Sequence, residues 1–206
     1  MKAKNKIFNW DKPKVHQYRY IKGGDLFCYR IAEKLFGYGR IIAKNKWGAY
    51  ALFFDKFTSR PPENLQTEDI DALKAGPVLF GCILDCYTLL VSKLHSDWRI
   101  IAQDPDIAFF DFNEITSINP LMEIGHNADF SITVPIKNQE AVQRIRENRC
   151  LDEKPNSHYH ILGFLIAKKP ELFNKENAPY IGFDEFIDKK FYEIHGEKLD
   201  LSSRNC

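Results

Sequence analysis

The sequence lacks most of the features that would assign it a chemistry. Methionine is scarce, two in 206 residues, and five cysteines (Cys28, Cys82, Cys86, Cys150, Cys206) form an odd set with no framework spacing. Three of them stand inside apolar runs, where a thiol serves as a small buried hydrophobe. There is no HExxH, no CxxC pair, no GxSxG and no carboxylate-rich loop, so the motif-borne metal and nucleophile chemistries have no seat here. The longest apolar stretch, Pro77–Val91, is broken by Asp85 and is too short to span a membrane. The N-terminus is basic, but neither an apolar run nor a small-residue cleavage site follows, which is not the pattern of a signal peptide. A soluble protein of a reducing cytoplasm is the expectation.

Net charge is nearly absent too, at +1, but its parts are unevenly placed. Residues 1–50 carry twelve Lys and Arg against three Asp and Glu, a local balance of +9. Residues 100–136 contain no Lys or Arg and hold Asp104, Asp106, Asp111, Glu114, Glu123 and Asp129, a balance of −6. Such asymmetry marks either two regions that neutralise one another in the fold or a charged surface for a partner.

What is abundant is aromatic and apolar: 16 Phe, 9 Tyr and a hydrophobic fraction of 44% describe a folded, β-rich chain. Its length suits one domain, residues 1–206, read as a basic arm (1–22), a β-rich core (23–112) and an α/β extension (113–206). In the arm, Phe8, Trp10, Tyr18 and Tyr20 alternate with lysines, so the rings can pack onto the domain. Lysines between rings can also hold nucleic acid.

The core opens with three apolar segments, Leu26–Ile31, Tyr38–Ala43 and Ala49–Phe54, joined by links too short for crossover helices. They predict a three-stranded antiparallel meander. Gly37 and Gly39 flank Tyr38, where glycine signals a bulge or a close backbone approach. Arg40 shares a face with Tyr38 and is expected to pair with Asp25 or an acid of 100–136. The string Gly37-Tyr38-Gly39-Arg40 lacks the strand–turn–helix setting of a phosphate loop.

After the break at Pro61-Pro62, Thr67-Glu68-Asp69 predicts a helix start with Thr67 as cap, ended by Gly76-Pro77. Val78–Val91 reads as one buried strand or two, with Asp85 at a bend; a buried helix is the alternative its length allows. Trp98–Ala102 reads as a strand, Asp129–Val134 as a strand ended by Pro135, and Tyr159–Ala167 as an apolar strand. Gln139–Arg149 and Asp184–Ile194 have helical spacing. Residues 113–128 collect Asn, Ser, Pro and Gly and read as a loop, and the last dozen residues as a frayed end. On a strand, His158 and His160 would share a face, but neither His126 nor His195 stands at a spacing that recommends it as a third ligand, so no metal site is expected.

The pieces GDLFCYRI (24–31), FGYGRIIA (36–43), GAYALFFD (48–55), GPVLFGCILD (76–85) and DWRIIAQDPD (97–106) together resemble the immunity protein 26 family of bacterial polymorphic toxin systems. They span about 80 of the 206 residues. RIIAQDPD stands where the family pattern leads one to expect a small-residue turn, and the chain continues well beyond Asp106.

The resemblance implies an α+β, β-rich fold: a strongly bent, mainly antiparallel sheet with two or three flanking helices. It also implies a non-enzymatic inhibitor, with no cofactor and no catalytic residue, that neutralises a cognate toxin in the producing cell. For such a protein the acids Asp104, Asp106, Asp111 and Glu114 would mask a basic cleft, as suits a nuclease, and Tyr38, Arg40 and Trp98 complete the expected contact set. The alternative is a β-sheet module that holds nucleic acid or a peptide with Tyr38, Arg40, Trp47 and the basic arm.

Overall fold

The computed structural model describes residues 5–11, 17–91, 97–107, 110–119, 121–146, 151–152 and 155–173. The meander is present as β2 (Asp25–Ala32), β3 (Leu35–Asn45) and β4 (Gly48–Thr58), following a short β1 (Lys6–Ile7). Helix α1 (Thr67–Ala75), β5 (Val78–Leu84) and β6 (Trp98–Gln103) complete a six-stranded antiparallel sheet in the order β1-β6-β2-β3-β4-β5. Register shifts between Leu26 and Phe27, Arg30 and Ala32, Gly37 and Gly39, Ile41 and Ala43, and Phe53 and Phe54 are the bulges that bend it.

The strands are apolar almost throughout because both faces of this sheet are covered. One face carries Phe27, Tyr29, Phe53, Phe80 and Trp98 beneath helix α3 (His158–Lys168). The other carries Leu26, Cys28, Tyr38 and Phe54 beneath Ile70 and Leu73 of α1, with Phe110, Phe112 and Phe130 closing one end over Ile42 and Leu52. Gly37 and Gly39 let two rings lie flat across β3. They pair with Tyr29 and Phe27, and a Cβ at Gly37 would stand 2.5 Å from the Tyr29 ring. A Cβ at Gly39 would run into the Phe27 ring and stand 2.7 Å from the Leu52 carbonyl.

Three expectations change. Tyr159–Ala167 is not a strand: it lies in α3, with Ile161, Leu162, Leu165 and Ile166 buried. Ser157 caps it through a box with His160, and a helix buried over much of its surface has the same apolar run as a buried strand. Of Val78–Val91 only the first half is β5. Past Asp85, Tyr87–Val91 is a single π-helical turn. Residues 113–128 are not a loop: β7 (Ile115–Asn119) and β8 (Ile124–Asn127) form a hairpin in a second sheet, which β9 (Thr133–Pro135) and β10 (Leu151–Asp152) complete in the order β10-β7-β8-β9. Its strands hide Thr116, Ser117, His126 and Asn127, so they carry no apolar alternation to read.

Smaller shifts follow. Asp129–Val134 keeps only its end as β9 (Thr133–Pro135), after a turn in which the Asp129 carboxylate accepts from Ser131 N. The expected second helix is α2 (Asn138–Arg146), and β10 (Leu151–Asp152) pairs in parallel with β7. Helix α1 is capped by Gln66 rather than Thr67, with Asp69 Oδ2 accepting from Gln66 N at 2.8 Å. Three of the arm's four rings, Phe8, Trp10 and Tyr18, pack as expected, while Tyr20 is 47% exposed; Trp10 meets Phe36 edge-on at 5.4 Å, under the Arg99 guanidinium. The helix expected at Asp184–Ile194 lies outside the described residues. No helix among the described residues is long and apolar enough to cross a membrane.

Candidate functional site

The seven expected contact residues separate into two groups. Tyr38, Arg40, Trp98 and Asp104 are buried, with exposures of 5%, 0%, 3% and 2%. Asp106, Asp111 and Glu114 lie at the surface.

Arg40 and Asp104 meet where β3 ends its pairing with β2 and the chain leaves β6. Arg40 Nη2 donates to the Asp104 carboxylate (3.2 Å), the Asp104 carbonyl (2.7 Å) and the Asp106 carbonyl (2.5 Å). Lys74, in the last turn of α1, reaches Asp104 Oδ2 at 2.8 Å and Asp106 Oδ2 at 3.3 Å. That is the helix end that favours a cation. Gly24, at φ +89°, places its carbonyl to accept from Asp104 N at 2.9 Å, and a side chain there would strike the Asp104 carbonyl. Asp25 beside it accepts from Lys22 N and from Gln103 Nε2 at 3.0 and 3.1 Å.

The Gly-Asp opening of β2 and the Gly-Arg of β3 are therefore two halves of one buried lock on the loop after β6. Burial lowers the pKa of Arg40 and the two aspartates oppose it; the guanidinium stays charged. Burial lowers Lys74 as well, but its bonds to Asp104 and Asp106 outweigh that and its pKa is raised overall. Arg40, Lys74, Asp104 and Asp106 are held by one another's charges, and Arg40 by two carbonyls as well. The arrangement positions a loop, and sequence reasoning found its acid and its arginine but missed Lys74. A lysine in the last turn of α1, two residues before Gly76-Pro77, was the available signal.

Tyr38 borders a cavity of about 440 Å³ between β4 and α1, whose walls include Phe54, Pro62, Leu65, Asp69 and Leu73. Thr58 donates its one proton to the Arg60 carbonyl at 2.7 Å, so the Tyr38 hydroxyl donates to Thr58 Oγ1 at 2.9 Å. Burial pushes the Tyr38 pKa up to about 12, which keeps the hydroxyl a donor.

Trp98 stacks on Tyr29 at 4.6 Å, and its Nε1 donates to His158 Nδ1 at 2.9 Å. That bond ties β6 to the first turn of α3. His160 closes the cap on Ser157 instead, so the two histidines do different work and do not converge. Among the described residues no group of three or more His, Cys, Asp or Glu could hold a metal ion.

At the surface, Asp106 shares Lys74 with Asp104, and Asp111 accepts from Asn113 N at 2.9 Å. Trp47, from the alternative reading, is 48% exposed in the β3–β4 turn.

Compared with known proteins, residues 22–121 match the family model of immunity protein 26. The matched span begins just before the Gly-Asp lock and ends beyond β7. No curated protein and no solved structure matches the chain.

Proposed function

We propose that this chain, whose residues 22–121 belong to the immunity protein 26 family, neutralises a toxin by binding it. It would act in the bacterial cytoplasm, as a single domain and by occlusion, with no reaction of its own. The family match carries this reading. The fold is in keeping with it: a sheet covered on both faces and locked by Arg40, Asp104 and Lys74 is a stiff platform, and stiffness limits the ordering cost of binding.

Of the expected contacts, Asp106, Asp111 and Glu114 are those a partner can reach, and they are proposed to meet a basic surface of the toxin. Arg40, Trp98 and Asp104 support the platform from inside. The test is rescue: a toxin domain, sought at the C-terminus of the protein encoded next to this chain, is expressed in bacteria with and without it. Protection together with a stable complex is expected. Growth arrest unrelieved by this chain would remove the reading. Reversing Asp106, Asp111 and Glu114 to lysine tests the acidic contact. Affinity and its salt dependence unchanged by that reversal would remove it.

A further inference from the structure

The cavity between β4 and α1 takes no part in the lock on Arg40, and its walls are built to stay open. Helix α1 lines it with Asp69, Ala72, Leu73 and Gly76, the spacing of a single helix face. Ala72 and Gly76 are the small members of that stripe and leave room beside β4. Pro62 and Pro77, whose rings fix the backbone, are part of the wall. Tyr38, Phe54, Leu65 and Leu73 supply buried apolar surface, and about 440 Å³ is the volume of a site for a small ligand or a deeply inserted side chain.

The hydroxyls of this cavity have already spent their protons. Tyr38 donates to Thr58 and Thr58 to the Arg60 carbonyl, which leaves both oxygens only lone pairs to offer. Asp69 Oδ2 accepts from Gln66 N at 2.8 Å, and no described residue partners its Oδ1. The Asp69 charge is felt at the Tyr38 hydroxyl, where burial first, and that charge among the smaller causes, raise the pKa. Asp55 also lines the cavity and is held by Lys169 at 2.7 Å. Lys56 and Asn64 are the side-chain donors of the wall; both are exposed, and Lys56 can keep its head in water.

Backbone and approach carry the same sign. At Gly76 the helix ends: its N–H turns to the Leu73 carbonyl at 3.3 Å and Pro77 has no N–H to give, so the last turn presents acceptors and the negative end of the helix dipole. Residues 61–73 hold Glu63, Glu68, Asp69 and Asp71, all exposed, and no Lys or Arg.

An apolar floor among acceptors fits an apolar stem that ends in several N–H donors and a positive charge, which is the chemistry of an arginine side chain. We propose that this cavity seats an arginine of the toxin's surface, its stem against Tyr38 and Phe54 and its guanidinium on Asp69. The inference rests on the toxin-binding reading and says where the toxin's basic surface docks. Lys74 ties Asp106 to the same helix at 3.3 Å, so an acid that a partner can reach and the cavity both border α1.

The experiment uses the full chain and two kinds of probe. Nα-acetyl-arginine amide, and Nα-acetyl-norleucine amide as its uncharged counterpart, are titrated into isotope-labelled chain and followed by NMR. The arginine amide is expected to shift the amides of Tyr38, Asp69 and Gly76 with a Kd on the order of 10 mM, and the norleucine amide to bind at least about fivefold more weakly. Ala72→Leu, which fills the cavity with a strong helix former, should abolish the shifts. The second probe is the inactivated form of a toxin domain sought in the neighbouring gene, titrated by calorimetry. Ala72→Leu should weaken that complex about 30-fold and Asp69→Asn, which can still accept from Gln66 N, about tenfold, with melting temperatures within about 2 °C of the parent. Ala75→Leu, off the stripe, should stay within about threefold. No shifts with the arginine amide, or equal binding of the norleucine amide, would overturn the cation site whatever the toxin does. A toxin complex that Ala72→Leu and Asp69→Asn leave within about threefold of the parent would overturn its use in docking. Arginine-amide binding without any toxin complex would sink the toxin reading, and with it the partner named here, while the cation site would stand.

Discussion

Removing Asp104 leaves two cations, Arg40 and Lys74, facing the gap where one carboxylate served both, 3.2 and 2.8 Å away. Arg40 is fully buried, so water cannot replace the lost acceptor without opening the loop. Breaking a buried ion pair from one side costs about 3–5 kcal/mol. Two carbonyls still accept from Arg40, which places Asp104→Ala toward the lower end. For a chain of this size about 2–4 °C is lost per kcal/mol, so at about 3 kcal/mol the melting temperature should fall by about 6–12 °C. Urea unfolding is the assay, with the midpoint moving and the slope unchanged. Asp106→Ala is the internal control. Its side chain is 51% exposed and its ion pair with Lys74 is correspondingly screened, so the loss should stay below about 1 kcal/mol. Arg40→Met with Asp104→Leu removes both charges and should cost less than Asp104→Ala alone. An Asp104→Ala protein within about 1 kcal/mol of the parent would refute the view that this pair locks the loop.

Gly39→Ala should cost about 1–3 kcal/mol by overpacking against Phe27 and Leu52, whereas Gly76→Ala, with its nearest neighbours at 3.4 Å, should lie within about 0.5 kcal/mol of the parent; thermal melts decide both. Trp98→Phe keeps a ring on Tyr29 but deletes the donor to His158, and chemical denaturation should show a loss of about 1–3 kcal/mol. Burial raises the thiol pKa of Cys28 and Cys82 strongly and that of Cys86 to about 12, so iodoacetamide at pH 8 should leave all three unlabelled in the native protein and label them in urea, read by peptide mass spectrometry. These thiols keep their protons in the fold and lose them near pH 8.5 when unfolded. Their contribution to stability is therefore complete below that pH and declines as pH rises toward the folded values, which an alkaline series of urea melts would reveal.

The meander was legible because its links are short and each strand is punctuated by glycine or charge. Gly37 and Gly39 were recognisable as places of close approach, though not that Tyr29 and Phe27 are what approaches. Two-sided burial also made β5 and α3 hard to tell apart, since Val78–Leu84 and His158–Lys168 are both continuous apolar runs. Length and the Ser157–His160 cap distinguish the second as a helix. The β7–β8 hairpin was hidden because most of its buried side chains are polar, Thr116, Ser117, His126 and Asn127 beside Ile118, and no hydrophobic period records them. The partner of Arg40 could be named only as a class. Asp104 lies 64 residues away, and the contact depends on how β6 lies beside β2.

The most direct measurement is a titration of this chain with the inactivated form of a toxin domain sought in the neighbouring gene, paired with rescue by the same chain in growing cells. A saturable complex with protection from the active domain is the expected result. No complex and no protection would contradict the assignment of this protein as a toxin's inhibitor.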